Sequence, residues 1–326
     1  MQRFSVVIPN WNGERFLATC FEALRRQDMQ DFETILVDNG STDGSLDLIA
    51  ERYPEVKIIR MGRNTGFACA VNEGIRLASA PLIALLNNDT EADKSWLSAM
   101  ESAVNSNPDA DFFASKMLDY KNRKIIDSCG NAMSWSGRPY KLGGGEQDGP
   151  PWNQDRFVFG ACAGAAVYRK ELFEKIGMFD ELYVTYLEDV DIDFRAQLAG
   201  LRCYFVPRAI VYHKGSGTSG KGSEFSFRMM IKNHFHLVGK NFPTHFIWRK
   251  LGKLVYSEVR LIAAAFRDGH VKAYFQGLFL FLRESGYMLE ERQIIQSSRK
   301  TTNAYLEQLI TSEFAFEPIN KALRGK

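Results

Sequence analysis

Phe4-Ser5-Val6-Val7-Ile8-Pro9-Asn10-Trp11-Asn12-Gly13 decides the architecture. An apolar run of strand length breaks at a proline into a polar turn, and an amphipathic stretch over 14–27 follows at helical spacing. The unit then recurs. Residues 34–37 run into Asp38-Asn39-Gly40-Ser41 and a helical 45–53, 56–61 into Arg63-Asn64-Thr65-Gly66 and 67–78, and 82–86 into Asn87-Asn88-Asp89 and 94–105. Four such repeats predict an α/β fold in which a parallel sheet carries helices on both faces. Ligands bind such sheets outside the carboxyl ends of the strands, where all four polar clusters fall.

Further on the pattern changes. Residues 111–168 read as short β-like pieces with turn-rich inserts, and Gly143-Gly144-Gly145 with Asp148-Gly149-Pro150-Pro151 reads as a mobile loop. A helix is expected over 170–176 and another from Glu188, since Leu187, Val190, Phe194, Leu198 and Leu201 form one apolar stripe. Strands over 202–206 and 209–212 lead to Gly215-Ser216-Gly217-Thr218-Ser219-Gly220, a linker or lid. Residues 224–326 read as helical, with basic residues among aromatics. The expected division is a catalytic domain over 1–220 and a helical region over 221–326.

With 326 residues and 45% hydrophobic content the chain can bury a sizeable core, which excludes disordered and collagen-like classes. Its net charge of +2 hides an asymmetry: residues 221–326 hold 17 Lys and Arg against 9 acids, residues 1–220 hold 24 against 30. The basic, aromatic-rich back suits a peripheral seat on an anionic inner membrane face, and equally packing or homo-oligomer contact. It carries no nucleic-acid reading motif. Cys20, Cys69, Cys129, Cys162 and Cys203 lack CxxC spacing and fit buried thiols in a reducing compartment. No apolar run is long enough to span a bilayer and no leader pattern precedes Phe4, so the expected location is cytoplasmic.

The residues at the strand ends point to chemistry. Asp38 is placed to accept a hydrogen bond from a nucleobase N–H, while Ser41 and Asp43 read as caps of the helix that follows. Asn87-Asn88-Asp89 brings a carboxylate and amides to the end of a buried strand, where hard oxygen ligands suit Mg²⁺ or Mn²⁺ bridged to phosphates. Glu188, Asp189, Asp191 and Asp193 put four carboxylates into six residues at a helix start, more than the helix dipole alone explains. Asp191 and Arg195, four apart, are expected to pair, Asp189 and Asp193 to share another face, and Glu188 or Asp189 to meet a substrate. His213, the first histidine of the chain, suits a metal or phosphate contact.

Together Val6–Gly13, Val37–Ser45, Arg63–Ala68 with Asn72, Leu85–Asp89, Gly160-Ala161, Gly164, Gly177–Glu181 and Glu188–Asp191 resemble the family 2 glycosyltransferases of GT-A fold, within them the bacterial rhamnosyltransferase-like branch. The resemblance implies a Rossmann-like mixed, mainly parallel sheet flanked by helices. It implies that Asp38 reads the nucleobase, that Pro9 and Asn10 shape its pocket, and that Asn12, Asn64, Gly66, Asn87 and Asn88 line the nucleotide-sugar site. Asn87 to Asp89 stand where such enzymes carry a DxD metal motif, so Asp89 becomes the principal ligand, with His213 completing the site. Glu188-Asp189 matches the ED motif, whose second acid is the general base.

The activity so implied is inverting transfer of a sugar to a hydroxyl of a glycan or lipid-linked glycan, in surface polysaccharide assembly. Rhamnose from dTDP-rhamnose is the favoured donor, with UDP- or GDP-sugars as alternatives. A sugar nucleotidyltransferase would want a Gly-rich, cationic phosphate loop early in the chain, and Glu14-Arg15 after Gly13 is a poor substitute. A non-catalytic glycan-binding protein of this fold is the rival from another class, made thinkable by Asn87 in place of an acid.

Overall fold

The apolar run at the start forms strand β1, Phe4–Asn10, followed by helix α1, Glu14–Arg25, in the computed structural model, which describes residues 2–215 and 223–310. The repeat continues as β2 (Phe32–Asp38), α2 (Ser45–Arg52), β3 (Lys57–Arg60), α3 (Phe67–Leu77) and β4 (Leu82–Leu86). After β5 (Thr90–Ala92) and α4 (Trp96–Ser106) come β6 (Phe112–Asp119), β7 (Ile126–Ser128), β8 (Asn131–Met133), β9 (Pro139–Lys141), β10 (Arg156–Val158), β11 (Ala165–Arg169), α5 (Lys170–Ile176), α6 (Glu188–Leu198) and β12 (Cys203–His213). Six helices follow: α7 (Glu224–Asn241), α8 (Thr244–Arg249), α9 (Leu251–Arg267), α10 (Val271–Arg283), α11 (Ser285–Ser297) and α12 (Asn303–Leu309).

The main sheet runs in the order β10-β12-β6-β11-β4-β1-β2-β3. β1 pairs in parallel with β2 and β4, β2 with β3, and β6 with β12, while β11 lies antiparallel to both neighbours and makes the sheet mixed. Side chains alternate between faces along a strand, and here the alternation sorts them into two cores. Val7, Ile35, Val37, Ile83 and Leu85 join Ala68, Val71 and Ile75 of α3 on one face. Val6, Ile8, Leu36, Ala84 and Leu86 join Leu17, Phe21, Ile49, Trp96 and Leu97 on the other. Every strand end is thereby fixed from both sides. Gly74 lets α3 lie close, because a Cβ there would sit 2.2 Å from Val7 Cγ1.

Two sequence expectations need correction. In place of two strands over 202–206 and 209–212 there is one, β12, with a register shift between Val206 and Ile210. Pro207 sits in that break and has no N–H to give the ladder. The 143–151 segment, read as mobile, is tied down: Gly145 N donates to Ile126 O at 2.8 Å, Asp148 N to Lys124 O at 2.7 Å, and Trp152 Nε1 to Glu146 Oε2 at 2.8 Å. The predicted lid over 215–220 lies outside the described residues except for Gly215, as does everything beyond 310.

The C-terminal helices share a core with the sheet domain. Met133 and Trp135 from the β8–β9 hairpin and Val190, Phe194 and Leu198 from α6 pack with Leu237, Phe242, Phe246, Ile295 and Leu306. Cys20, Cys129 and Cys203 are buried, Cys69 and Cys162 are half-buried, and all five are free thiols. Among the described residues no helix is long and apolar enough to cross a membrane.

Candidate active site

Parallel register sets Asn10 beside Asp38 at the carboxyl ends of β1 and β2. Asn10 is 2% exposed and its amide nitrogen donates to Asp38 Oδ1 (3.4 Å) and Ser41 Oγ (3.2 Å), while its oxygen accepts from Asn88 Nδ2 at 2.7 Å. One side chain thus connects three of the four polar clusters. Half-buried Pro9 precedes it on β1. Asn12, in the left-handed region at φ 49°, donates its backbone N–H to Ser41 Oγ at 2.9 Å and accepts from Thr42 N at 2.8 Å. Ser41 therefore holds the first loop rather than capping α2. Asp43 does cap, accepting from Glu14 N at the start of α1 and Ser45 N at the start of α2.

The third cluster is clamped by Asn39. Its nitrogen donates to Asn64 Oδ1 (3.1 Å) and Gly66 O (3.0 Å), and its oxygen accepts from Thr65 N and Oγ1, both at 2.9 Å. Gly66 has φ 94°, and a Cβ on it would lie 2.6 Å from the carbonyl oxygen of Val184. Only glycine fits there. The Val184 carbonyl in turn accepts from Phe67 N at 2.6 Å, so the segment before α6 caps α3.

The fourth strand end meets the end of β12. Asp89 is 4% exposed, and His213 Nε2 lies 3.3 Å from its Oδ1. On the other side of the ring Nδ1 meets Asp127 Oδ2 at 2.9 Å, and Asp127 also pairs with Lys141 Nζ at 2.9 Å. A carboxylate behind a ligating histidine fixes its ring and tautomer. Burial opposes the imidazolium, yet the hydrogen bonds from Asp127 and Asp89 outweigh it and raise His213 to about 9. Asn87 shapes the turn, its N–H donating to Gly164 O at 2.9 Å and its carbonyl accepting from Thr90 Oγ1 at 2.6 Å. No group of three or more His, Cys, Asp or Glu side chains suited to a metal exists among the described residues. Mg²⁺-type sites commonly use one or two protein carboxylates and take the rest of their oxygens from substrate phosphates. Asp89 fits that donor set as its carboxylate, and His213 would join it only by giving up the proton on Nε2 that now faces Asp89.

The helix-tip acids divide as their spacing predicts. Asp191 and Asp193 point inward, both fully buried. Asp191 pairs with Arg195 Nε at 2.8 Å and with Lys240 Nζ at 3.0 Å, and accepts from Tyr183 OH and Asn241 Nδ2. Asp189 and Asp193 share Asn131, whose Nδ2 reaches them at 3.2 and 2.8 Å. Half-buried Asp189 also accepts from Ala163 N at 3.3 Å and Val190 N at 2.8 Å. Burial raises its pKa, and these three donors work against the rise. Glu188 is 7% exposed, and its Oε2 has no hydrogen-bond partner. Burial, then the neighbouring Asp189 charge, push it up to about 8. Of the pair, Asp189 is the one with three N–H donors that favour its charged form, whereas Glu188 Oε2 has none.

Sequence reasoning missed Asn131, Asp127 and Lys141, which arrive from short strands with no periodic signal. Ala163-Gly164, by contrast, belongs to a stretch the sequence flagged. It joins the groups physically, since Ala163 N contacts Asp189 and Gly164 O receives the N–H of Asn87.

A mainly parallel sheet whose polar strand ends face an acidic helix tip is the arrangement of a GT-A glycosyltransferase. The family model for glycosyl transferase family 2 matches residues 5–177, and the chain belongs to that family. It is 30% identical over 246 residues to the N-acetylglucosaminyl-diphospho-decaprenol L-rhamnosyltransferase of Mycobacterium tuberculosis, covering 65% of this chain and 75% of that protein. A PGL/p-HBAD biosynthesis glycosyltransferase of Mycobacterium bovis is 28% identical over 200 residues, with 59% and 68% covered. Among solved structures, GalNAc-T7 with UDP, GalNAc and Mn²⁺ aligns with a TM-score of 0.60 at 18% identity over 74% of this chain and 48% of that one. S. aureus TarS 1–349 in complex with UDP-GlcNAc aligns at 0.55 and 16% identity over 91% of both. These structural likenesses bear on the fold alone.

Proposed function

We propose that residues 1–220 form the catalytic domain of an inverting transferase that moves rhamnose from dTDP-rhamnose to a hydroxyl of a lipid-linked glycan. The observation that carries the catalytic half is Asp189: a carboxylate held by three N–H donors at a helix tip beside the strand-end crevice. Asp38, with Pro9, Asn10, Asn12, Asn64, Gly66, Asn87 and Asn88, lines the nucleotide side. Asp89 and His213 would hold Mg²⁺ or Mn²⁺, whose chemistry is to neutralise charge on the diphosphate. Asp189 takes the acceptor O–H proton, the oxygen bonds to the anomeric carbon opposite the phosphate, and the carbon–oxygen bond to the diphosphate breaks. Glu188 keeps the flank of Asp189 dry and uncharged. The rhamnose and lipid-linked assignments draw on the mycobacterial relative.

A thermal-shift panel of dTDP, UDP, GDP and their sugars, with and without Mn²⁺, tests donor and metal together. A ligand at a hundredfold excess over its Kd stabilises the fold by about 2.7 kcal/mol. We expect the largest rise with dTDP-rhamnose plus Mn²⁺. No shift with any nucleotide would remove the donor assignment, and a preference for UDP or GDP would change the sugar.

Residues 221–326 are the region we assign to the membrane surface. The outer stripe of α9, Leu251, Val255, Val259 and Phe266, stays exposed, as does Trp248 before it. Residues 244–283 carry seven Lys or Arg against Glu258 and Asp268. Apolar exposure with cationic excess suits an anionic bilayer, each basic residue near the surface contributing about 1 kcal/mol. The full chain is expected to cosediment with phosphatidylglycerol vesicles, less so at high salt, and Val259→Glu to weaken this. Salt-independent self-association in place of vesicle binding would assign the stripe to a second copy.

A further inference from the structure

The lead-in to α6 is held in backbone conformations that its side chains disfavour. Val184, Tyr186 and Leu187 have φ of 61, 70 and 67°, and none is glycine. Such residues persist only where their surroundings enforce them, and they gather at functional sites. Phe67 N of α3 holds the Val184 carbonyl, and the side chains that hold the carbonyls around it come from one helix, α7, on the C-terminal side of the glycine-rich 215–220 stretch. The two N–H bonds of Asn233 Nδ2 serve three carbonyls of this segment, one of them shared: Tyr183 O at 2.9 Å, Thr185 O at 2.8 Å and Tyr186 O at 2.7 Å. Lys232 Nζ donates to Leu182 O. Eight residues on, the dipeptide repeats: Lys240 pairs with Asp180 and Asp191, and Asn241 donates to Asp191 Oδ1 at 2.8 Å. The side-chain oxygens of Asn233 and Asn241 have no partner, so both amides serve as donors.

The gripped segment has two working ends. At one, the Val184 carbonyl caps α3 next to Gly66 of the nucleotide cluster. At the other, Leu187 opens α6 and its first residues are Glu188 and Asp189. We infer that Asn233, with the paired Lys-Asn motif of α7, is a positioning residue for the sugar-transfer reaction, setting the place of the base Asp189 relative to the nucleotide loop without touching substrate. The inference rests on the transferase reading given above.

The test compares Asn233→Asp and Asn233→Ala with Ile231→Ala in the full chain. Ile231 is 2% exposed on the same helix and packs into a separate core with Phe227, Leu261, Ala265, Ala273 and Tyr274. Both Asn233 variants are expected to lower kcat by about 100-fold, the effect of a small misplacement of reacting groups, while nucleoside diphosphate still raises the melting temperature. Amide exchange at 184–190 should rise in them. Ile231→Ala should lower the melting temperature yet leave turnover per folded molecule and exchange at 184–190 unchanged. If the Asn233 variants keep wild-type kcat, or lose no more than Ile231→Ala does, the positioning role is overturned while the transferase stands. If wild-type enzyme transfers no sugar, the transferase reading fails, and exchange at 184–190 alone decides whether Asn233 holds the segment.

Discussion

Asp189→Asn is expected to lose sugar transfer by about 10²–10⁴-fold, the range over which a positioned general base contributes, with donor binding retained. The substitution keeps shape but not basicity. It also meets an accounting problem, because Asp189 Oδ2 accepts from Asn131 and Ala163 while Oδ1 accepts from Val190. An amide has one oxygen, so one side loses its acceptor, at a cost of about 1–3 kcal/mol. Activity should therefore be compared at equal folded fraction. Glu188→Gln should do much less, since the carboxyl of Glu188, pushed up to about 8, is already protonated at neutral pH. Because burial raises the pKa of Asp189, the acid limb of the wild-type pH–rate profile should lie above the ordinary aspartate range. Unchanged transfer by Asp189→Asn would assign the base elsewhere.

The largest effect on stability is expected two residues further along α6. Asp191→Ala removes the shared partner of Arg195 and Lys240, both nearly fully buried. Breaking a buried ion pair from one side costs about 3–5 kcal/mol, since the stranded charges stay out of water. Burial works against ionised Asp191, but the charges of Lys240 and Arg195 outweigh it and lower its pKa from 3.8 to about 2. A carboxyl whose folded pKa lies below its unfolded one gives stability that is present above the unfolded value and fades as pH falls toward the folded value. Denaturant melts should thus show the wild type losing this contribution between about pH 4 and pH 2, a loss missing from Asp191→Ala. An unchanged midpoint in the variant at pH 7 would contradict the account. Asp193 contrasts with it. Burial and the nearby Asp189 charge hold its carboxyl well above the usual range, so Asp193→Asn should strand no partner charge and cost only the one acceptor lost between Ala161 N and Asn131 Nδ2, about 1–3 kcal/mol.

The α/β half was readable from sequence because its signals are local. Each strand carries its own apolar run and delivers its own polar cluster, so Asp38, Asn64 and Asp89 could be placed before any contact was known. The helix start at Glu188 and the Asp191–Arg195 pair followed from helical spacing in the same way. Asn131, Asp127 and Asn233 could not be found so. Each acts across the fold, Asn131 on Asp189 at a separation of 58 residues and Asp127 on His213 at 86. Their own neighbourhoods are short strands or a helix whose polar face looks like any solvated one. Ser41 was misread for a related reason, because capping is the local use of a serine there and the fold supplied a longer-range one.

The dependence of the α6 lead-in on α7 also fixes an order of assembly. All the described strands, and every acid of the crevice, precede α7 in the chain. As the polypeptide leaves the ribosome the sheet can form early, and α3 can hold segment 180–187 at Glu181 and Val184, but the side-chain amides and ammonium groups of α7 are missing until residues 232–241 emerge. The nascent protein therefore carries a finished scaffold with an unfinished centre, and it gains its working geometry only once α7 has been made.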